Sequence, residues 1–308
     1  MKFFAKTDLG KTRQVNQDYY IAENRKVGVF PNLFIVADGV GSNRDSGFAS
    51  KHCSGFVLDQ ISLSKDSSDL KGELAKAYRL ANADLVYRIM ANPKYKGMGT
   101  TMVCTTIVND RALIANVGDS RCYHISNEIK QITRDHSIAE ELVNENAIER
   151  GSEKYKELKS QLSRAFGAGK KIEPDFFEID LRMGDYLLLC TDGLSNMVDD
   201  ETIYEIINRD TTIESKVDEL VDEANKNGGR DNIAIILIYI DMINKENSVF
   251  EKEKQQAYED AINRLKNNEE GNIKKSNIKS ILDNRASLLN DNFRSRSRKR
   301  KDGEENEQ

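Results

Sequence analysis

Histidine is scarce in this chain, with three in 308 residues, at His52, His124 and His136. That scarcity argues against a zinc hydrolase built on several imidazole ligands. Cysteine is nearly as rare. Cys53, Cys104, Cys122 and Cys190 show no C-x-x-C spacing, and Cys104 and Cys190 lie inside apolar runs. They read as buried free thiols of a reducing compartment. No apolar run approaches the ~20 residues that span a bilayer, and the opening residues hold no signal-peptide core. A cytoplasmic protein is expected. Nor is there an excess of positive charge, since the net charge is −5 at pH 7, so nothing draws the whole chain to nucleic acid.

Apolar residues make up 38% and charged residues 31% of the sequence, enough core for one large domain or two small ones. Residues 33–42, LFIVADGVGS, organise the reading. The run Leu33, Phe34, Ile35, Val36 reads as a buried strand, broken by Asp38 and Gly39. The pattern returns at 186–194, YLLLCTDGL, where Asp192 and Gly193 close another apolar run. Asp231 stands just before a third, residues 233–240. Any one Asp-Gly pair is explained by a plain hairpin turn. Three acids at the mouths of the most apolar runs point instead to one hard cation, which prefers oxygen ligands.

Residues 2–8 and 18–22 read as strands joined by GKTRQVNQ, which brings Arg13, Asn16, Gln17 and Asp18 close together. Arg13 is a guanidinium fork of the kind that grips phosphate, or a solvated surface arginine. Helical spacing of apolar residues predicts helices over 46–62 and 70–90, the second closed by Pro93. From Gly99 onward GTTMVCTTIV, ALIANVGDS and RCYHIS read as successive antiparallel strands, with Asp119 at a strand end. Residues 138–164 are rich in Glu, Lys and Asn, as a flap over a site or a surface helix would be. Residues 176–181 and 186–191 are expected to form a hairpin across 182–185. Two short helices, 200–208 and 215–227, precede the turn GGRDN and the last strand. Strands and helices without a strict β-α-β rhythm favour an α+β fold with helices covering antiparallel sheets.

Composition shifts after Met242. Residues 1–242 are expected to be the folded domain, and 243–308 a charged, flexible tail with helical patterns at 245–266 and 278–289. Between 294 and 301 every residue except two serines is basic, a handle for an acidic partner or nucleic acid; in a eukaryote it would also read as a nuclear import signal.

GKTRQVNQD, ADGVGS, GTT, NVGDSR, RDHS, TDGL and GGRDN occur in the order and approximate spacing of the type-2C metal-dependent protein phosphatases, the PPM family, and the bacterial-type members are most similar. The resemblance runs from about Thr7 to Ile240. It implies an α+β, αββα four-layer sandwich, two central antiparallel sheets flanked by helices, with Mn²⁺ or Mg²⁺ between the sheets. It implies Asp38 as a bridging carboxylate, with the Gly39 carbonyl, Asp192 and Asp231 completing the shell of two ions. Asp119, with Asp192, matches the acids that hold a third. Arg13 matches the phosphate-binding arginine. Asp18, beside Gln17, is added to the metal candidates, and Asn232, beside Asp231, to the phosphate ligands. Gln17 stands where most members carry a metal-shell glutamate. His136, the one histidine within a family motif, is assigned the leaving-group proton or a loop-tethering role.

The expected activity is hydrolysis of phosphoserine and phosphothreonine in proteins by a metal-activated water. An all-oxygen shell suits Mg²⁺ or Mn²⁺. No cysteine sits in a phosphate loop, so a thiol-based phosphatase is not expected. The alternatives are a catalytically weak phosphoprotein-binding module of the same fold and an enzyme tethered to a partner or nucleic acid by its tail. A monomer is expected.

Overall fold

The strand of residues 233–239 carries apolar side chains on both faces, and that double burial sets the architecture. Ile233, Ile235 and Leu237 pack among helices, while Ala234, Ile236 and Ile238 pack into a second apolar layer. Successive side chains of a strand point to opposite faces, so a strand apolar at every position must be covered twice. The strand beginning at Leu33 is built the same way. Leu33 and Ile35 face one helical layer, and Phe34 and Val36 face the shared middle. In the computed structural model, which describes residues 1–41, 47–66 and 68–242, the two strands belong to two sheets stacked face to face.

In chain order the described elements are β1 (Lys2–Asp8), β2 (Asp18–Glu23), β3 (Leu33–Val40), α1 (Gly47–Ser62), α2 (Leu70–Ala91), β4 (Gly99–Thr100), β5 (Met102–Val108), β6 (Arg111–Val117), β7 (Arg121–Ile125), β8 (Ile129–Gln131), α3 (Ile138–Asn144), α4 (Glu153–Leu158), β9 (Asp175–Asp180), β10 (Tyr186–Cys190), α5 (Asp192–Ser195), α6 (Asp200–Ile207), α7 (Ile213–Lys226) and β11 (Ile233–Tyr239). One sheet runs β1-β11-β10-β7-β8, the other β2-β3-β5-β6-β9 with β4 on the end of β3. All pairings are antiparallel. α1 and α2 cover the second sheet through residues such as Cys53, Val57, Leu74 and Tyr78. α6 and α7 cover the first through Ile203, Ile207, Val217 and Leu220. This is the expected αββα sandwich. All four cysteines are buried and free. Among the described residues no helix is long and apolar enough to cross a membrane.

Four local expectations are corrected. β9 and β10 do not form a hairpin, because β9 pairs with β6 in one sheet and β10 with β7 and β11 in the other. The polar link between them crosses the sandwich, and Asp185 Oδ2 accepts the Arg182 N–H there and meets His124 Nε2, both at 2.8 Å. Likewise β7 leaves the sheet of β5 and β6 at Gly118. Asp38 and Gly39 do not end their strand; β3 continues to Val40 by pairing with β4. Asp192 opens a short helix instead of a turn. The segment 138–164 holds the two short helices α3 and α4. The tail helices and the basic run fall on residues 243–308, outside the described residues.

Candidate metal centre

The β2–β3 register sets Asp18 opposite Asp38, so a rigid ladder presents both carboxylates at one end of the second sheet. Three contacts from one turn fix the Asp38 backbone. Its N–H donates to Thr101 Oγ1 at 3.0 Å, and its carbonyl accepts from Thr100 Oγ1 at 2.7 Å and from the Thr101 N–H at 2.9 Å. Thr101 Oγ1 also meets Ser120 Oγ at 2.6 Å, beside Asp119. Asp119 sits where the chain passes from β6 to β7. Gly118 makes that passage with φ +104°, and a Cβ there would stand 2.5 Å from Thr101 Cβ, so only glycine fits.

The other sheet supplies Asp192 and Asp231. Thr191 follows β10 directly; its Oγ1 donates to Asp18 Oδ2 at 2.7 Å and accepts the Ala234 N–H at 2.9 Å. Next come Asp192 and Gly193, where a Cβ would lie 1.9 Å from the Asn232 carbonyl oxygen, so α5 and the start of β11 approach this closely only with glycine. Asn196 donates to Asp192 Oδ2 at 2.9 Å, and Lys159, just past α4, donates to Asn196 Oδ1 at 2.8 Å. Asp231 accepts the Asn232 N–H on Oδ1 at 2.8 Å and the Arg13 guanidinium on Oδ2 at 2.6 Å. Arg13 remains about half exposed. Its loop is zipped to the Gly229 and Arg230 carbonyls by Lys11 N–H and Thr12 Oγ1, at 2.8 and 2.6 Å.

The result is a congregation of acids with one guanidinium bound to them. Burial pushes the Asp18 carboxyl up to about 8, and the charges of Asp192 and Asp231 add to it. Burial lifts Asp38 well above the usual carboxylate range, with Asp18, Asp192, Asp119 and Asp231 all contributing. Asp119 is raised in the same way, by burial and then by Asp192. Asp192 is pushed up to about 6 by burial and by Asp231. Asp38 lies within hydrogen-bonding reach of both Asp18 and Asp192. Carboxyl pairs this close need either a shared proton or a cation. Asp192 Oδ1 is buried without a hydrogen-bond donor. Oxygen donors of this kind fit a hard divalent cation such as Mg²⁺ or Mn²⁺. Among the described residues no three His, Cys, Asp or Glu side chains form a finished ligand cage, so the fit rests on donor chemistry and mutual repulsion.

Two of the sequence-based candidates are engaged in scaffold hydrogen bonds. Asn232 is 2% exposed, and its amide oxygen accepts the Gln17 N–H at 2.9 Å while its Nδ2 donates to the Leu9 carbonyl at 2.9 Å, so it ties the loops beside the site together. His136 is 6% exposed, and its Nδ1 accepts the Gly118 N–H at 3.0 Å. Nε2 lies 3.2 Å from Asp175 Oδ2. Burial, with the nearby Arg164, lowers its pKa against the pull of Asp175. It clamps the turn before Asp119. Gln17 lies at the site by its main chain: its carbonyl accepts the Gly39 N–H at 3.1 Å and Ser50 Oγ at 2.5 Å. The sequence reading gave no role to Thr101, Thr191, Ser120, Asn196 or Arg121. Arg121 grips Asp135 through Nε and NH2, at 3.0 and 2.7 Å. The hydroxyl beside the acid in GDS and in TDG, and the paired hydroxyls of GTT, were the available signal.

A family model described as Protein phosphatase 2C matches residues 23–233. The chain belongs to this family. The match takes in Asp38, Asp119, Asp192 and Asp231, while Arg13, Gln17 and Asp18 precede it and join the site through β1 and β2. Among the family's named members, "Serine/threonine phosphatase stp" of Listeria monocytogenes is 33% identical over 249 residues, covering 78% of this chain and 96% of the relative. The crystal structure of serine/threonine phosphatase Stp1 from Staphylococcus aureus superposes with a TM-score of 0.71 at 31% identity, covering 78% of this chain and 94% of that one. The catalytic domain of PstP, solved in complex with two manganese ions, gives 0.66 at 29% identity, over 77% and 96%. The sandwich fold is that of PP2C phosphatases.

Proposed function

We propose that this chain hydrolyses phosphoserine and phosphothreonine in proteins as a metal-dependent phosphatase. The observation that carries the reading is the meeting of Asp18, Asp38, Asp119 and Asp192 behind an Arg13–Asp231 pair that is open to solvent. Asp38, the Gly39 carbonyl, Asp192 and Asp231 would hold two Mn²⁺ or Mg²⁺ ions, Asp119 with Asp192 a third, and Asp18 and Gln17 would support them from behind. When bound, the ions neutralise the phosphoryl charge and activate a water for attack on phosphorus. Arg13 shares one nitrogen with Asp231 and has further N–H groups free to fork onto phosphoryl oxygens. Its anchorage to Asp231 ties phosphate position to the acid cluster. Thr101 and Thr191 keep the Asp38 backbone and the Asp18 carboxylate from drifting, which is what positioning catalysis requires.

The partners that fit are phosphorylated proteins. A monomer, with residues 243–308 as a separate electrostatic handle, remains the reading of the sequence. The test is release of inorganic phosphate from a phosphothreonine peptide. Turnover is expected with Mn²⁺ and not with EDTA, and turnover indifferent to EDTA would remove the assignment.

A further inference from the structure

The rim beside Arg13 holds two further cations that the phosphatase chemistry does not use. Lys11 and Arg230 lie on the two zipped loops. The Lys11 and Thr12 N–H groups both donate to the Gly229 carbonyl, at 2.8 and 3.2 Å, and Thr12 Oγ1 donates to the Arg230 carbonyl at 2.6 Å. Asn232 Nδ2 adds a bond to the Leu9 carbonyl at 2.9 Å. Gly10, at φ +73°, packs so closely that a Cβ would stand 2.2 Å from the Asp231 carbonyl oxygen. The platform is therefore rigid and made mostly of backbone, and it carries Lys11 two residues before Arg13 and Arg230 one residue before Asp231.

Both side chains lie over the Gly228–Gly229 turn. A Cβ on Gly229 would stand 3.1 Å from Lys11 Cγ, and one on Gly228 3.6 Å from Arg230 Nε. Both residues are exposed, and among the described residues neither is in an ion pair. Three acids of the neighbouring segments are engaged elsewhere. Asp231 is held by Arg13, Glu223 by Lys226, and Asp8 Oδ1 by the Gly10 N–H and Asn225 Nδ2. Two cations without an ion-pair partner thus border a site of aspartates and the single guanidinium of Arg13.

We infer that Lys11 and Arg230 form a recognition rim that favours phosphopeptides carrying further negative charge beside the phosphorylated residue. The inference rests on the phosphatase reading above. On this inference a peptide whose phosphate is held by Arg13 lays its flanking residues against this rim. A carboxylate or a second phosphate on its flank gains two attractive partners there, whereas a neutral flank gains nothing. Exposed pairs are individually weak and salt-screened, so together the two cations should favour an acidic flank by about 3- to 20-fold in kcat/KM at low ionic strength.

The test uses the full chain with Mn²⁺ and three phosphothreonine peptides of equal length, with serine, glutamate or second-phosphoserine flanks, plus p-nitrophenyl phosphate. The wild type should prefer one or both charged peptides, and the arms tell carboxylate recognition from phosphate recognition. In the double variant Lys11→Gln, Arg230→Gln the preference should vanish, with the serine-flanked peptide and p-nitrophenyl phosphate unchanged. An unchanged melting temperature would verify folding, since both side chains are exposed. No preference in the wild type, or a preference that persists in the double variant, would overturn the rim while leaving the phosphatase reading intact. No turnover of any substrate would overturn that reading first, and the rim with it.

Discussion

Thr191 Oγ1 stands 2.7 Å from Asp18 Oδ2, and this hydrogen bond joins the end of a strand in one sheet to a strand of the other. The same hydroxyl accepts the Ala234 N–H at 2.9 Å, so one threonine fixes the sheet-to-sheet register where the acids gather. The bond matters because Asp18 is 8% exposed and has little water to replace a lost donor.

Thr191→Val removes that donor and the acceptor for Ala234 while keeping the shape. Leaving buried polar groups unpaired costs about 1–3 kcal/mol. Urea denaturation should show a loss of that order, and Thr191→Ser should recover most of it. A valine variant as stable as wild type would show that the two sheets are held together here by packing alone.

His136 gives a pH dependence of definite sign. Its pKa is lowered by burial in the folded protein, so its contribution to stability is complete above the ordinary histidine value of about 6.5 and is lost as pH falls below it. His136→Asn keeps an acceptor for the Gly118 N–H but does not titrate. The wild-type advantage in urea midpoint over this variant should shrink between about pH 7.5 and about pH 5.5. A constant difference would mean that the ring titrates as in the unfolded chain. On the kinetic side, the clamp role predicts equal losses for His136→Ala on phosphothreonine and p-nitrophenyl phosphate, whereas a general acid would matter more for the poorer leaving group.

Gln17→Glu adds a full negative charge at the residue that precedes Asp18 and whose carbonyl accepts the Gly39 N–H. Attraction to a dication through partly solvated protein is worth on the order of 1–3 kcal/mol. Calorimetric titration of Mn²⁺ into chelator-stripped protein should show tighter binding in the variant. Identical isotherms would place residue 17 outside the metal's reach.

A chain ended after Met242 should keep its activity on p-nitrophenyl phosphate. β11 stops at Tyr239, and the Ile240 N–H and carbonyl already bond Asp185 and Gly184, so the sheet pattern is complete. Loss of activity on this small substrate would show that residues 243–308 belong to the catalytic unit.

What the sequence revealed and what it hid divide along physical lines. The acids were legible because the chemistry sits in short polar breaks at the ends of apolar runs, and Asp38, Asp192 and Asp231 adjoin buried strands. The helices α1, α2 and α7 were legible from local periodicity. Strand partners were not. β9 and β10 are separated by a five-residue link, the local pattern of a hairpin, yet their partners β6 and β11 lie far off in sequence. Asp192 looked like a turn because Asp-Gly suits a turn as readily as the first turn of a helix. Thr101 and Thr191 escaped notice because threonine is common in strands for its shape alone, and only the structure shows their hydroxyls on Asp38 and Asp18. The scaffold hydrogen bonds of Asn232 and His136 were hidden too, because residue type cannot distinguish holding a loop from serving the substrate.

The most direct test of the account is the kcat/KM of Asp38→Asn on a phosphothreonine peptide in Mn²⁺, measured beside wild type with folding checked by circular dichroism. Asparagine preserves size and the backbone bonds to Thr100 and Thr101 but cannot supply a charged bridge between cations. The account requires a fall of at least about 100-fold, equivalent to ~2.7 kcal/mol of transition-state stabilisation. A folded variant within a few-fold of wild type would contradict it.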